Sequence, residues 1–322
     1  MSAEEVDLGT AIAEKVKLLD EIELKHSAYK RVKARIELAV KISTARQAST
    51  NVVLYGRPGA GKTTLSKMLV KMFGPVIENK AGYVIRTVGA FYAQLPSPVT
   101  VSSLVSTMLS SLGDPKPSWG STKDRTDRLI VLLTETRTRL VLLDEFHHLL
   151  VSQTAEEVLN WIKTLLDSCA VTFTLIGMPT CSDLIRRDKQ IARRFEHRLN
   201  LGYLSITETN EDGVSTFVAY LRSYALEVKE ALGLKVVPDF ESPAECLAVF
   251  AKTGGAPGAI TALFRFAVLN SMLSRDDSRI LFSDIKEAAE EDFFEDFKIT
   301  KRDVFDMDSK SLYNEILTCQ AK

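Results

Sequence analysis

The sequence predicts an α/β protein: a parallel sheet covered by helices on both faces, preceded by N-terminal helices and followed by a small all-helical domain. Three observations carry this expectation. Short apolar runs closed by a turn residue or an acid recur at "TNVVLYG" (50–56), "GYVIRTVG" (82–89), "RLVLLDE" (139–145) and "VTFTLIG" (171–177), each of a length suited to a buried strand. Amphipathic stretches separate them, and strands that alternate with helices build a parallel sheet with both faces covered. Beyond about residue 207 such runs stop and helical periodicity takes over.

Residues 1–46 carry helical spacing with many charges, as in "AIAEKVKLLDEI" and "YKRVKARIELAVKI", and no glycine interrupts them after Gly9. Residues 47–207 hold the strand and helix alternation. Residues 208–290 carry helical patterns near 213–232, 243–252, 258–273 and 283–290, with the glycine-rich break "KTGGAPG" between two of them. Residues 291–322 mix acids with aromatics and are expected to be a tail that orders on binding, a segment for docking a partner. From Glu290 to Lys322 there are nine acidic and five basic residues.

Composition narrows the class of function. With 322 residues, 45% hydrophobic and 26% charged, the chain is globular rather than disordered or fibrous. No window approaches the roughly 18 consecutive apolar residues of a membrane span, and the start "MSAEEVDLGT" lacks the layout of a signal peptide. The expected location is the cytoplasm, with no membrane partner. Cys169, Cys181, Cys246 and Cys319 are widely spaced with no CxxC, which argues against a zinc site or a disulfide framework. A net charge of −1 gives no global attraction to nucleic acid, although "RRDKQIARRFEHR" (186–198) concentrates five arginines.

The strongest chemical signal is "GRPGAGKTT", Gly56, Arg57, Pro58, Gly59, Ala60, Gly61, Lys62, Thr63 and Thr64, which fits G-x-x-x-x-G-K-[ST] between a strand and a helix. Glycines let the backbone wrap a phosphate chain, and the amides at the helix start face its charge. The motif predicts ATP with Mg2+ as cofactors: Lys62 reaches the β and γ phosphates and Thr63 binds the metal. Asp144 emerges at the carboxyl end of "RLVLLDE" and is expected to hold the Mg2+, with Glu145 orienting the attacking water. The strand at 82–89 is expected to lie between these two motif strands in sequence. His147 and His148 follow in "EFHHLL"; as neighbours they should point in different directions and form no chelating pair.

The order of P-loop, "LLDE", the strand "TLIGMPT", an arginine-bearing segment and a helical lid resembles the AAA+ ATPases. More narrowly, "VVLYGRPGAGKTTL", "LVLLDEFHHLL", "TLIGMPTCSDLIRRDKQIARRFEHRLNL" and "HSAYKRVKARIELAV" are similar to the TniB/TnsC transposition regulators, over about residues 25–275. The resemblance implies an ATPase that assembles head to tail into rings or helical filaments on double-stranded DNA. It implies recruitment of a transposase and a target-selecting protein, with disassembly on hydrolysis. Arg194, matching the family's "RF", is then the arginine that reaches a neighbour's nucleotide, with Arg193 its rival, and Thr180 aligns with the polar sensor position. Lys116, Lys123 and Arg125, in and after "DPKPSWGSTKDRTDRL", suit phosphate contacts to DNA. Where many lids of the superfamily carry a sensing arginine, "GGAPGAITALFR" has Gly258, with Arg265 two turns on, a departure that points to slow, switch-like hydrolysis. Two other readings stay open: a clamp-loader or initiator-type AAA+ ATPase, and a nucleotide-switched signalling scaffold that ignores DNA.

Overall fold

The structure, a computed structural model, describes residues 3–24, 26–80, 83–274 and 278–320. It divides into two compact units, residues 28–202, and residues 1–27 together with 203–322. Two helices lead, α1 (Ala3–Asp20) and α2 (Ser27–Arg46). The N-terminal segment read as one piece is therefore split, since α1 belongs with the C-terminal helices and nearly all of α2 with the sheet. On α2, Ser43 Oγ lies 2.7 Å from Thr172 Oγ1 and accepts from Thr50 N at 2.8 Å, tying the helix to the sheet below it.

The sheet unit continues with β1 (Val52–Tyr55), α3 (Lys62–Phe73), β2 (Pro75–Lys80), β3 (Tyr83–Val88), β4 (Ala90–Gln94), α4 (Val101–Leu112), α5 (Thr122–Glu135) and β5 (Leu140–Asp144). A 3₁₀ helix at Phe146–Val151, α6 (Ala155–Ser168), β6 (Thr172–Gly177), α7 (Cys181–Arg187), α8 (Lys189–Arg194) and β7 (His197–Asn200) complete it. Five strands form one sheet in the order β4-β5-β6-β1-β7, every neighbouring pair parallel. Each residue of β5 and β6 is buried, as expected for strands with helices on both faces. Capping boxes start two of the covering helices: Thr100 Oγ1 accepts from Ser103 N at 3.0 Å before α4, and Ser121 Oγ from Asp124 N at 3.2 Å before α5. On α4, Leu104, Val105, Met108, Leu109 and Leu112 turn inward with helical spacing.

The run at 82–89 departs from its expected place. Gly82 lies outside the described residues, and Tyr83–Val88 forms β3, antiparallel to β2 in a separate hairpin. Polar Arg86 and Thr87 interrupt the run, as suits a ribbon that is not buried on both faces. On β2, Val76 and Ile77 are exposed. In sequence, the strand of the main sheet that falls between the two motif strands is β4, an edge strand paired with β5 from Ala90↔Leu140 to Gln94↔Asp144.

The second unit contains α1 with α9 (Thr216–Ala231), α10 (Pro243–Thr253), α11 (Pro257–Ser274), α12 (Phe282–Ala288), a 3₁₀ turn at Asp292–Asp296 and α13 (Ser309–Gln320). The break "KTGGAPG" falls between α10 and α11, with Gly254 and Gly255 at positive φ. Among the described residues, no single helix is long and apolar enough to cross a membrane. The segment expected to order only on binding is already folded: Phe294, Val304, Leu312 and Ile316 join the same core as Phe250 and Phe264. Some of its acids are ion-paired, Glu315 with Arg302 at 3.2 Å and Asp306 with Lys286 at 3.3 Å. The spacing of Leu312 and Ile316 along α13 supplies the apolar face that an acidic composition hides.

This packing sets an expected stability. Ile316→Ala should cost the helical unit about 2–5 kcal/mol and lower its unfolding midpoint in chemical denaturation. An unchanged midpoint would mean that α13 is detached in solution.

Candidate functional site

The site begins where β1 ends. Gly56 N donates to Gly177 O at 3.2 Å, keying the loop to the end of β6. A Cβ at Gly56 would stand 2.5 Å from Leu201 O, so the strand-end backbone beside it leaves no room for a side chain. Gly61, at φ 92, is the N-cap of α3 and offers no side-chain acceptor. The first amides of α3 are thus left for an outside anion, which is the fit expected of a phosphate cradle. Arg57, Pro58, Gly59, Thr63 and Thr64 are exposed along the loop, while Ala60 is buried and can offer only backbone.

Lys62 arches back over this loop, its Nζ donating to Gly56 O at 2.7 Å and Arg57 O at 3.0 Å. Burial lowers its pKa from the usual lysine value, while the carboxylates of Asp144 and Glu145 pull the other way. The lysine is thus partly desolvated next to two acids, a state that favours exchange of its carbonyl partners for anionic oxygens.

Asp144 closes β5 and is 2% exposed. Its Oδ1 accepts from Glu145 N at 2.7 Å, and its Oδ2 accepts from the Tyr92 hydroxyl at 2.8 Å. Burial and the bond to Asp144 push the Tyr92 phenol far above its ordinary range, so it remains a donor. Tyr92 belongs to the site although no local motif marks it; the alternation of "AFYAQ" is its one sequence signal, and β4 was not legible as a sheet strand. The oxygen donors of Thr63 and Asp144 are hard ligands of the kind Mg2+ takes. Thr180, exposed at the end of β6, makes no helix-capping bond with its side chain.

Glu145 sits at φ 60, a strained conformation for a residue with a side chain. Its Oε2 lies 3.1 Å from His147 Nδ1. The two histidines do not diverge as expected: their ring centroids are 4.7 Å apart, and Glu145, His147 and His148 offer ligand atoms all within 4.8 Å of one another. The tight turn closed by His148 N donating to Glu145 O at 2.9 Å folds Glu145 back toward the histidines.

Arg194 stands at the opposite edge of the sheet. Asn51, just before β1, donates from Nδ2 to Arg194 O at 3.1 Å and accepts at Oδ1 from Phe173 N at 2.9 Å, fixing α8 to the amino ends of β1 and β6. The length of β1, at about 3.3 Å per residue, separates Arg194 from the P-loop of its own chain by more than 10 Å. Its guanidinium is engaged by Asp167 of α6, Nη2 to Oδ2 at 2.7 Å and Nε to Oδ1 at 3.1 Å. That bond holds the Asp167 carboxyl below the usual carboxylate range. Arg193, Arg194, Asp167 and Glu196 line one open cavity of about 490 Å³.

The basic residues near α5 separate into two groups. Lys116 and Lys123 are exposed, and Trp119 between them is 70% exposed. Arg125 is not available to DNA, in contrast to the expectation. It is 8% exposed and donates to Ser106 Oγ at 2.6 Å, Ser102 Oγ at 2.9 Å and Ser102 O at 3.2 Å, pinning α5 to α4. Two helical residues turn a side chain by about 200°, so Lys123 and Arg125 face opposite ways. In the helical unit, Arg265 pairs with Asp20 of α1.

Two variants test these assignments. Tyr92→Phe removes one donor from Asp144 and should lower Mg2+-dependent ATP turnover by about tenfold while leaving Mg2+-free nucleotide affinity unchanged. Equal activity would remove Tyr92 from the site. Arg125→Ala should lower stability by about 2–3 kcal/mol in denaturant titration.

No curated protein matches the sequence. Among solved structures, the Aeropyrum pernix ORC2 protein in ADPNP-ADP complexes is similar with TM-score 0.59 and 18% identity, over 85% of this chain and 71% of that one. The Aeropyrum pernix ORC1 protein in complex with DNA gives TM-score 0.57 and 17% identity, over 83% and 65%. Cdc6p from Pyrobaculum aerophilum gives 0.58 and 11%, over 84% and 69%. At these identities the likeness is one of fold, that of the AAA+ ATPases, and the strand order around the P-loop agrees with it. The family model described as Bacterial TniB protein matches residues 19–201, more than half of the sequence, and the chain therefore belongs to the TniB family.

Proposed function

We propose that this protein is an ATP-dependent regulator of DNA transposition that assembles on double-stranded DNA in its triphosphate state. It would recruit a transposase and a target-selecting protein, and hydrolysis would dissolve the assembly. The observation that carries this reading is the separation of P-loop and Arg194 to opposite edges of one sheet. An arginine so placed is out of reach of its own nucleotide and suited to another chain's, which makes a head-to-tail ring or filament the natural assembly.

In the mechanism, the α3 amides and Lys62 bind the phosphates, while Thr63 and Asp144 would hold Mg2+, which supplies charge neutralisation at the phosphate oxygens. Tyr92 orients Asp144. Glu145 would position the water and accept its proton, Thr180 would sense the outermost phosphate, and the neighbour's Arg194 would stabilise charge as the bond breaks. Release of Arg194 from Asp167 costs little, because an exposed ion pair contributes only ~0–1 kcal/mol. Residues 208–290 would serve as the lid.

Lys116 and Lys123 remain the residues suited to DNA phosphates, and repetition along an assembly would turn weak contacts into tight, salt-sensitive binding. Lys123 stands in the first turn of α5, and the loop that presents Lys116 is braced: Arg128 donates to Asp114 Oδ2 at 2.6 Å and to Lys116 O at 2.9 Å. Partner docking would use the outward side of residues 291–322, where Phe293, Tyr313 and Leu317 are exposed. The reading places the protein in the bacterial cytosol.

The test is electron microscopy of the protein with a DNA duplex, in ATP or a slowly hydrolysed analogue against ADP. Rings or filaments are expected with the triphosphate alone and should be lost in Arg194→Ala. Lys123→Glu should weaken DNA binding and flatten its salt dependence. Single particles in every condition would overturn the assembly, and oligomers indifferent to DNA would favour a signalling scaffold.

A further inference from the structure

We propose that Glu145, His147 and His148 form a binding site for a transition-metal cation of the zinc class, and that its occupancy arrests hydrolysis at the adjoining nucleotide site. The arrest, though not the binding, rests on the reading of Glu145 as the water-orienting carboxylate.

The three side chains meet because of the backbone. Glu145 occupies the left-handed region at φ 60, and the 3₁₀ helix after it opens with His148 N donating to Glu145 O at 2.9 Å. This turn brings one carboxylate and two imidazoles together with ligand atoms within 4.8 Å of one another. A tetrahedral zinc with bonds of about 2.0–2.2 Å holds its ligands about 3.5 Å apart, so small side-chain rotations close the set. Nδ1 of both histidines is shielded from solvent and makes no well-aligned hydrogen bond, although His147 Nδ1 lies 3.1 Å from Glu145 Oε2. The side chains are not sealed off, with 25% of His147 and 35% of Glu145 accessible.

Donor chemistry separates this site from the Mg2+ position. Two imidazoles and one carboxylate suit Zn2+, Co2+, Ni2+ or Cu2+, whereas Mg2+ prefers oxygen donors and keeps its waters. The two sites share a boundary, since Asp144 and Glu145 are consecutive. A cation held by the histidines would recruit the Glu145 carboxylate and withdraw it from the water, leaving the phosphate cradle at α3 intact. The protein would then stay in its triphosphate form.

The test titrates Zn2+ into the full chain by calorimetry with Mg2+ in excess, and repeats it with Co2+ read by visible absorption. One Zn2+ per chain is expected, with Co2+ bands of a nitrogen and oxygen site. His147→Asn and His148→Asn should each weaken binding by about tenfold or more, and the double variant should abolish it. Nucleotide binding by the same variants shows that they are folded. The ratio of ATP turnover with and without Zn2+ should fall well below one in the native protein and return to one in the double variant. Absence of stoichiometric binding, or binding that persists in the double variant through the cysteines or other histidines, overturns the site. Binding lost in the double variant, but with no effect of Zn2+ on turnover or no turnover at all, supports the site and overturns the arrest.

Discussion

Parallel pairing of β1 with β6 and β7 is the constraint from which the site follows. It fixes which ends of the strands share an edge: Tyr55 and Gly177 at one, Val52 and His197 at the other. The P-loop, Asp144 and Thr180 all leave from the carboxyl edge, where open sheets bind ligands, at the point where the chain first crosses from β1 to strands on one side and later returns to the other. Asn51 holds the opposite edge. Its buried amide bonds two backbone groups, Arg194 O and Phe173 N, which belong to neither its own strand nor each other's. A buried amide is costly unless satisfied, and here its satisfaction joins three segments at one edge of the sheet.

The carboxyl edge is organised around one buried acid. Asp144 is almost inaccessible, so its charge must be compensated within the protein. Tyr92 and the Glu145 amide meet part of that need and at the same time fix its orientation. Lys62 gives the complementary case: a cation desolvated by burial, facing two carboxylates, and resting on carbonyl oxygens of its own loop. Neutral carbonyls are weaker partners than charged oxygens, so these contacts hold the lysine in place without committing it.

What the sequence disclosed depended on whether the chemistry was contiguous. The P-loop and Asp144 with Glu145 are contiguous segments at strand ends, so the residues and their order were enough to place them at the ends of β1 and β5. Tyr92 and Asn51 act across strands, and nothing beside them in sequence announces the partner. Arg125 was misplaced for a related reason: its charge is visible, but its burial against Ser102 and Ser106 depends on how α5 crosses α4. The histidine pair failed on helix type, because divergence of neighbours assumes that no earlier residue folds back over them. The tail was misjudged on composition, which counts its acids and overlooks that Phe294, Leu312 and Ile316 recur where one face can collect them. The run at 82–89 had the length of a sheet strand, yet the sheet strand is the less apolar segment directly after it.

On the proposed role of Arg194, dividing a catalytic site between chains would make assembly and nucleotide state one equilibrium. Within a single chain Arg194 is satisfied by Asp167, and the pair is open to solvent, with 32% and 60% of the side chains accessible. A contact of that kind contributes ~0–1 kcal/mol, whereas a charge-assisted bond to a phosphate at a drier interface is about twice as strong as a neutral one. If the phosphate is supplied by a neighbour, the difference falls entirely on the interface, and loss of the outermost phosphate returns the arginine to Asp167. In the proposed assembly the intrachain pair would set the reference from which assembly is measured: too strong, and the arginine would never leave; absent, and an unpaired guanidinium would be open to any anion. A weak, bidentate, solvent-exposed partner fits the intermediate requirement, and by linkage whatever stabilises the assembled state must stabilise bound triphosphate to the same extent.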